Sequence, residues 1–304
     1  MDNFLPIAYF QNQFIPFTEA KISIATQSLH YGTGAFGGLR GILDPENPQK
    51  VLLFRLDAHC QRLSNSAKFL GYELPASKIQ ELITEFVKKN QPKTPFYIRP
   101  FAYTSSLGLA PRLHNVEKDF FIYGVELADY LSPEGVNCRF SSWYRQEDRS
   151  FPLRGKISGA YITSALAKSE AVASGFDEAI LMNSQGKVSE GSGMNVFMVR
   201  NNQLITPGLD QDILEGITRD SVLKMAQDLG IKTLERPVDK SELLIADELF
   251  LVGTAAKISP IKRMENYELP KDRPITQKLR EKLTAITENR EPNYQNWVFS
   301  IELN

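Results

Sequence analysis

The order of strand-like and helix-like segments limits most strongly what this chain can fold into. Alternating or aromatic-rich apolar runs predict strands at 7–10, 14–17, 51–55, 94–103, 120–127, 178–182 and 194–199. Capping residues and amphipathic spacing predict helices at 57–69, 77–89 and 158–174, one starting near Thr218, and a last one spanning Ile275 to Ile286. Strands and helices do not alternate regularly, as they would in a doubly wound parallel sheet, so the predicted class is α+β.

A stretch punctuated by proline and glycine predicts where the chain divides. Residues 126–135 read Glu-Leu-Ala-Asp-Tyr-Leu-Ser-Pro-Glu-Gly, a composition typical of an interdomain linker. We therefore expect a small N-terminal α+β domain at 1–125 and a large C-terminal α+β domain at 136–304.

Composition restricts the classes of partner. The 304 residues carry 35 Lys+Arg against 36 Asp+Glu, a net charge of −1, so no bulk charge favours nucleic acid or an anionic membrane. No apolar run approaches the length of a membrane helix, and no signal peptide is evident. Cys60 and Cys138 show neither disulfide nor metal-ligand spacing. We expect a cytoplasmic globular protein, without a metal, that acts on small molecules.

Gly32-Thr-Gly34-Ala-Phe-Gly37 matches the G-x-G-x-x-G spelling of dinucleotide-binding loops. That fingerprint requires a buried apolar strand immediately before it, whereas residues 25–31 are mostly polar. A nicotinamide-dependent oxidoreductase is therefore a disfavoured alternative of a different functional class.

Three further segments carry chemistry. Lys156 lies between Gly155 and Gly159, and glycines permit the close backbone approach that can hold a reactive lysine, although a solvated loop lysine is the commoner case. Glu190 stands in a Gly-rich turn, where it could pair with the ring nitrogen of a pyridine cofactor. Residues 216–218 precede an amphipathic helix, whose N-terminus can bind phosphate.

Taken together, these segments resemble one family. The motifs that carry the resemblance are His30-Tyr-Gly-Thr-Gly-Ala-Phe36, Gln61-Arg-Leu63, Tyr97-Ile-Arg99-Pro100, Ser141-Ser-Trp143, Lys156, Tyr161, Ser189 to Asn195, Gly216-Ile-Thr-Arg-Asp220 and Gly253-Thr-Ala-Ala256. In this order they resemble the branched-chain amino acid aminotransferases of the class IV family. These are fold-type IV, two-domain enzymes with a fold like that of D-amino acid aminotransferase, and they use pyridoxal phosphate.

The resemblance implies roles around the cofactor. Lys156 would bond covalently to the cofactor and then move the proton during transfer. Glu190 would pair with the ring nitrogen and Tyr161 with the phenolic oxygen. The phosphate would be held by Arg62, Gly216, Ile217, Thr218 and Thr254, and Leu214 would pack against the ring.

The resemblance also implies a substrate pocket. Its aromatic lining would be Tyr31, Phe36, Tyr97 and Tyr130. Arg99 would receive the second carboxylate of glutamate or 2-oxoglutarate. The α-carboxylate would lie near Gly193, Thr254, Ala255 and Ala256.

The implied reaction is reversible amino transfer between leucine, isoleucine or valine and 2-oxoglutarate by a ping-pong mechanism, in a homodimer or larger homo-oligomer. Alternatives within the fold type are a D-amino acid or amine transaminase and an aminodeoxychorismate lyase. The D-amino acid branch traps the α-carboxylate with an Arg and a His two residues on, and Phe101 replaces that His here. Tyr97-Ile-Arg99 argues against the lyase. The order of preference among aliphatic substrates stays open.

Overall fold

A computed structural model describes residues 3–127, 132 and 134–303 of the chain. Contacts within the chain divide it into two compact units. The first comprises Met1–Ala128, Gly155–Gly159 and Ala285–Asn304, and the second comprises Asp129–Arg154 and Ala160–Thr284. The boundaries predicted from sequence, with a linker at 126–135, stay a prediction, and part of that linker lies outside the described residues.

The described residues include seventeen strands and seven α-helices. The strands are β1 Ile7–Phe10, β2 Gln13–Pro16, β3 Gly34–Phe36, β4 Leu39–Leu43, β5 Lys50–Phe54, β6 Phe96–Thr104, β7 Lys118–Glu126, β8 Val136–Tyr144, β9 Glu178–Met182, β10 Val188–Gly191, β11 Asn195–Arg200, β12 Gln203–Thr206, β13 Thr233–Glu235, β14 Glu248–Gly253, β15 Lys257–Met264, β16 Tyr267–Glu268 and β17 Val298–Glu302. The helices are α1 Gln27–Tyr31, α2 Leu56–Phe69, α3 Ala76–Asn90, α4 Tyr161–Ala173, α5 Ile217–Asp228, α6 Lys240–Leu244 and α7 Pro274–Thr287.

The first unit is built on an antiparallel sheet in the order β17-β5-β4-β6-β7-β1-β2, with β3 paired to β6. The predicted N-terminal hairpin is confirmed. Its turn residues Gln11 and Asn12 both have positive φ, at 50° and 61°. This is the twist that a two-residue hairpin turn requires. Helices α2 and α3 contribute buried apolar side chains such as Leu63, Ile83 and Phe86 to the core.

The second unit is built on a mixed sheet in the order β10-β9-β8-β15-β14-β11-β12-β13. Strand β8 pairs in parallel with both β9 and β15, whereas β14 pairs antiparallel with β11 and β15. Phe197 of β11 and Phe250 of β14 are both fully buried and stack with ring centroids 5.2 Å apart. This packing fixes the position of β11, which begins at Asn195.

The C-terminal strand belongs to the sheet of the first unit. β17 pairs antiparallel with β5, with Val298 opposite Phe54 and Ile301 opposite Val51. The predicted large C-terminal domain includes these residues, and their sequence pattern predicts no strand. A strand as short as β17 is defined mainly by the strand with which it pairs, and β5 is distant in the sequence.

Among the described residues, no helix combines the length and the apolar character needed to cross a membrane.

Candidate active site

The predicted site residues fall in both units, and each group is described within its own unit. The first unit holds Tyr31, Phe36, Arg62, Tyr97, Arg99 and Lys156. The second unit holds Tyr161, Glu190, Gly193, Leu214, Gly216, Ile217, Thr218, Thr254, Ala255 and Ala256. Tyr130, predicted to line the pocket, lies outside the described residues.

The Lys156 loop lies antiparallel to the segment that contains β3. The Phe36 amide donates to the Lys156 carbonyl at 3.0 Å, and the Gly159 amide donates to the Gly32 carbonyl at 3.0 Å. Between them, Ala35 and Ile157 form an antiparallel bridge. The backbone of Lys156 is therefore held in place by a ladder of antiparallel backbone hydrogen bonds.

Close packing explains the glycines of the G-x-G-x-x-G spelling. Gly32 has φ of +62°, and a Cβ there would lie 2.8 Å from the Gly159 Cα; a Cβ at Gly34 would lie 2.3 Å from the Phe101 ring. Gly32 follows helix α1, and Gly34 opens strand β3. A dinucleotide loop has the reverse order, a strand followed by a helix, so the geometry argues against that interpretation.

A serine that the sequence analysis missed ties Lys156 to helix α2. The Ser66 hydroxyl accepts a hydrogen bond from the Lys156 amide at 3.0 Å and donates to the Arg62 carbonyl at 2.8 Å. Ser66 is fully buried. One side chain thus sets the position of the lysine backbone relative to the helix that carries Arg62. The sequence signal was available, because Ser66 and Arg62 are four residues apart on one helical face.

The aromatic ring of Phe36 lies beside two cations. The Lys156 amine is 5.0 Å from the ring centroid, and the Arg99 guanidinium carbon is 4.5 Å from it. Arg99 also lies 5.4 Å from the Tyr97 ring centroid, and its Nη2 is 3.4 Å from the Tyr97 hydroxyl. The structure therefore brings four predicted residues together in one unit. Tyr31 donates its hydroxyl to the Leu109 carbonyl instead.

Buried His59 reports the electrostatic environment near Lys156. Burial is the main cause that lowers the pKa of His59 well below its usual value, and the charges of Arg62, Lys156 and Arg55 lower it further. The imidazole is consequently neutral at physiological pH. The local potential is positive, which suits an anionic group such as a phosphate.

In the second unit, Glu190 is a buried carboxylate with several hydrogen-bond donors. Its Oε2 accepts from the Asn195 amide group at 2.9 Å and from the Leu214 backbone amide at 3.1 Å. Its Oε1 lies 2.9 Å from the Arg145 guanidinium, and both of these side chains are 8% exposed. A buried carboxylate requires such partners to remain ionised.

The sequence pattern does not predict that Asn195 and Arg145 contact Glu190. Asn195 falls within the predicted Gly-rich motif, and its amide group also donates to the Leu214 carbonyl at 3.1 Å. Arg145 lies just after β8 and gave no local signal, because its partner Glu190 is reached only through the sheet.

The segment before α5 presents uncapped backbone amides. The sequence pattern predicts Thr218 as the cap of this helix, which is wrong: the N-cap is Gly216, and Thr218 lies in the first turn. A Cβ at Gly216 would lie 2.0 Å from the Asn195 amide oxygen, so a larger residue would force the Asn195 side chain to move. Within the described chain, α5 has no side-chain cap. Its first amides can accept an anion, and a bulkier N-cap would obstruct them.

The remaining predicted residues lie at turns and element ends of the second unit. Thr254, Ala255 and Ala256 form the turn between β14 and β15, where Ala256 is buried. Tyr161 is the first residue of α4 and is half-buried. Gly193 is an exposed turn residue between β10 and β11. Over the described residues, no cluster of His, Cys, Asp or Glu is arranged to hold a metal ion.

These arrangements define a chemistry. The first unit offers a lysine amine on a fixed backbone within a positive potential, and such an amine can attack a carbonyl carbon. The second unit offers a buried carboxylate paired with an arginine and a helix start without a side-chain cap. A phosphorylated, carbonyl-bearing pyridine ring needs these three partners.

Comparison with known proteins identifies the family. Residues 46–264 match the amino-transferase class IV family. A probable branched-chain-amino-acid aminotransferase of Synechocystis sp. is 72% identical over 304 residues, which are 100% of both chains. The branched-chain aminotransferase of the thermophilic archaeon Thermoproteus uzoniensis, solved with norvaline, superposes with a TM-score of 0.93 at 38% identity, covering 97% of this chain and 98% of that one. The branched-chain amino acid aminotransferase of T.th., complexed with N-(5'-phosphopyridoxyl)-L-glutamate, has a TM-score of 0.90 at 36% identity with the same coverage.

The chain therefore belongs to the class IV amino-transferase family. Within that family, its sequence and fold are those of the branched-chain amino acid aminotransferases, which confirms the family and the α+β fold-type IV class predicted from the sequence. The nicotinamide alternative is thereby excluded.

Replacing Ser66 with alanine tests how the lysine loop is held. Ser66→Ala leaves the Lys156 amide without its hydroxyl partner, which we expect to cost about 1–3 kcal/mol of unfolding free energy. We also expect transaminase turnover to fall by about 10-fold or more, because small misplacements of a reacting group are costly. Urea denaturation and initial rates measure the two effects.

The matched control is Thr84→Ala in α3. The Thr84 hydroxyl donates to the carbonyl four residues earlier, at Gln80, so its bond stays within its own helix. We expect unchanged turnover for this variant. Equal turnover losses in both variants would show that Ser66 has no specific effect on Lys156.

Proposed function

We propose that this enzyme transfers amino groups reversibly between leucine, isoleucine or valine and 2-oxoglutarate, using pyridoxal phosphate in a ping-pong cycle. The observation that carries the proposal is the fixed Lys156 amine beside Phe36 and Arg99. The relatives add support, since one was solved with norvaline, an aliphatic amino acid, and another with a phosphopyridoxyl adduct of glutamate.

The residues fit pyridoxal phosphate on structural grounds. The positive potential around His59 and the uncapped start of α5 both suit a phosphate. Buried Glu190, which accepts from Asn195 and pairs with Arg145, suits a protonated ring nitrogen. When bound, the cofactor supplies an aldehyde for the amino group and a ring that withdraws electrons.

We assign Lys156 two jobs. Its amine would hold the cofactor covalently, and the same amine would accept and return the proton at the substrate Cα. The ladder to β3 and the Ser66 hydroxyl hold the lysine backbone during both steps.

The other cofactor contacts follow the family pattern and are proposals. Glu190 keeps the ring nitrogen protonated, and Tyr161 donates to the phenolic oxygen. The phosphate contacts are Arg62, Gly216, Ile217, Thr218 and Thr254. Leu214 packs against the ring, and its backbone amide already binds Glu190.

The substrate contacts are likewise proposals. The aliphatic side chain is received by an aromatic lining of Tyr31, Phe36, Tyr97 and Tyr130. The α-carboxylate is received by Gly193 and by the turn of Thr254, Ala255 and Ala256. Arg99 receives the distal carboxylate of glutamate, because its Nε is buried and finds no hydrogen-bond partner among the described residues.

An amino-donor panel with 2-oxoglutarate as acceptor tests the reaction. We expect leucine, isoleucine and valine to be donors and D-alanine to be inactive. Lys156→Ala should lower turnover with every donor by about 10²- to 10⁴-fold, because it removes the acid-base group. Its phosphate contacts should still retain some cofactor, which absorbance after dialysis measures. Near-normal turnover of this variant would refute the role of Lys156, and a preference for D-alanine would refute the substrate assignment.

Replacing Arg99 tests dual substrate recognition. Arg99→Met should lower kcat/KM for glutamate by about 10- to 100-fold, because it removes a charge-assisted hydrogen bond to the distal carboxylate. The kcat/KM for leucine should fall far less. Arg99→Lys keeps the charge over the Phe36 and Tyr97 rings and should recover part of the glutamate activity. Parallel losses for glutamate and leucine in the methionine variant would contradict this assignment.

We propose further that the enzyme works in the cytoplasm as a homodimer or a larger homo-oligomer. The support is an apolar patch in the first unit, formed by Ile24, Leu29, Leu107 and Leu109, which are 60–87% exposed. Its two segments are joined by a bridge between Thr26 and Leu107. Exposed apolar patches held by ordered backbone are typical of protein interfaces. Cys60 and Cys138 are buried free thiols, as suits a reducing compartment.

A charge within this patch tests the assembly. Leu109→Glu should raise the dimer dissociation constant by at least about 10-fold, because an interface would bury an unpaired carboxylate. Sedimentation velocity across a concentration series measures it. Ile245→Glu is the control, since Ile245 is similarly exposed, at 60%, but lies in the second unit. An unchanged dimer in the Leu109 variant would refute the proposed interface.

A further inference from the structure

Arg145 connects the buried carboxylate to the segment that leads into α5. Its guanidinium lies 2.9 Å from Glu190 Oε1, and its Nε donates to the Asp212 carbonyl at 3.1 Å. Its own backbone amide donates to the Met182 carbonyl at 2.8 Å. Arg145 is 9% exposed, so both of these side-chain contacts are shielded from water.

The donors to Glu190 differ in charge. Asn195 and the Leu214 amide are neutral donors that orient Oε2. Arg145 places a full positive charge at Oε1. Neutral donors fix where the carboxylate points, whereas a cation at this distance also favours its ionised form over its protonated form.

We propose that Arg145 is a positioning residue for Glu190 that keeps the proton shared between this carboxylate and the cofactor on the ring nitrogen. The inference rests on the proposed function, in which Glu190 faces that nitrogen. Arg145 lies in direct contact with the carboxylate oxygen, so its charge disfavours a proton on Glu190 more than a proton on a group held beyond it. The position of this proton is all that is involved, and no other bond forms or breaks.

The same side chain also sets geometry. Asp212 has a positive φ of 58°, and its carbonyl accepts from Arg145 two residues before Leu214. Arg145 and Asn195 therefore link Glu190 to the same backbone segment from both carboxylate oxygens. Glu190 and Leu214, both proposed to contact the ring, are held in one network.

Arginine variants of the holoenzyme test the proposal. With a cofactor isotopically labelled at its ring nitrogen, NMR reports the protonation of that atom independently of turnover. Arg145→Gln should move the ring-nitrogen resonance from the pyridinium position toward the neutral pyridine position. It should also lower kcat by about 10- to 100-fold, a loss typical of removing a residue that orients a functional group. Arg145→Lys retains the charge and should restore the pyridinium resonance and part of kcat. An unchanged resonance with unchanged kcat in Arg145→Gln would overturn the proposal.

A double variant covers the case in which Arg145→Gln fails to fold with an uncompensated buried carboxylate. Glu190→Gln/Arg145→Gln removes both charges, and we expect it to match Glu190→Gln alone in resonance and kcat, because Arg145 acts through Glu190. A large further loss in the double variant would overturn the proposal.

Two single variants complete the design. Arg149→Gln is the control, because Arg149 is 83% exposed, and it should behave as the unmodified enzyme. Glu190→Gln separates the two levels of argument. If it leaves the resonance and kcat unchanged, the role of Glu190 in the proposed function fails; if it impairs both while Arg145→Gln changes neither, only the inference about Arg145 fails.

Discussion

The antiparallel pairing of residues 32–36 with the Lys156 loop is the constraint on which the lysine chemistry depends. A lysine side chain has four rotatable bonds, so it can act reproducibly only if its backbone is fixed. Here the Phe36 amide and the Ser66 hydroxyl bind the Lys156 carbonyl and amide, one on each side of the residue. The glycines at 32 and 34 are required because the chains and the Phe101 ring approach too closely for a Cβ. The G-x-G-x-x-G sequence at 32–37, which resembles a nucleotide-binding motif, therefore serves close packing in this chain.

In the second unit, the corresponding constraint is the burial of the Glu190 carboxylate. Burying an ionised group costs several kcal/mol unless hydrogen bonds and an opposite charge compensate for it. Glu190 receives both, from Arg145, Asn195 and the Leu214 backbone. These partners come from three separate segments: Arg145 follows β8, Asn195 begins β11, and Leu214 lies in the segment before α5. The carboxylate thus depends on the β8, β10 and β11 framework as much as Lys156 depends on β3.

How much of this could be predicted from sequence follows from the range of each interaction. The N-terminal hairpin, α2 and α3 were predictable within one or two residues, because their turn residues and apolar spacing are local. Lys156 and Glu190 could be found because they stand in Gly-rich motifs. Strand β17 and Arg145 could not, since each is defined by a partner distant in sequence. The cap of α5 was misassigned because a glycine N-cap has no side-chain signature.

The two arginines assigned to the proposed site, Arg145 and Arg99, illustrate different physical uses of one side chain. Arg145 has its Nε on a backbone carbonyl and one terminal nitrogen on a carboxylate, so both of these nitrogens are engaged within the fold. Arg99 lies over two aromatic rings, with Nε unpartnered among the described residues. Stacking stabilises the cation without using its hydrogen-bond donors. In the proposed function, Arg99 would donate to the carboxylate of one substrate and stay stabilised by the rings when the other brings an aliphatic side chain, whereas Arg145 would stay fixed.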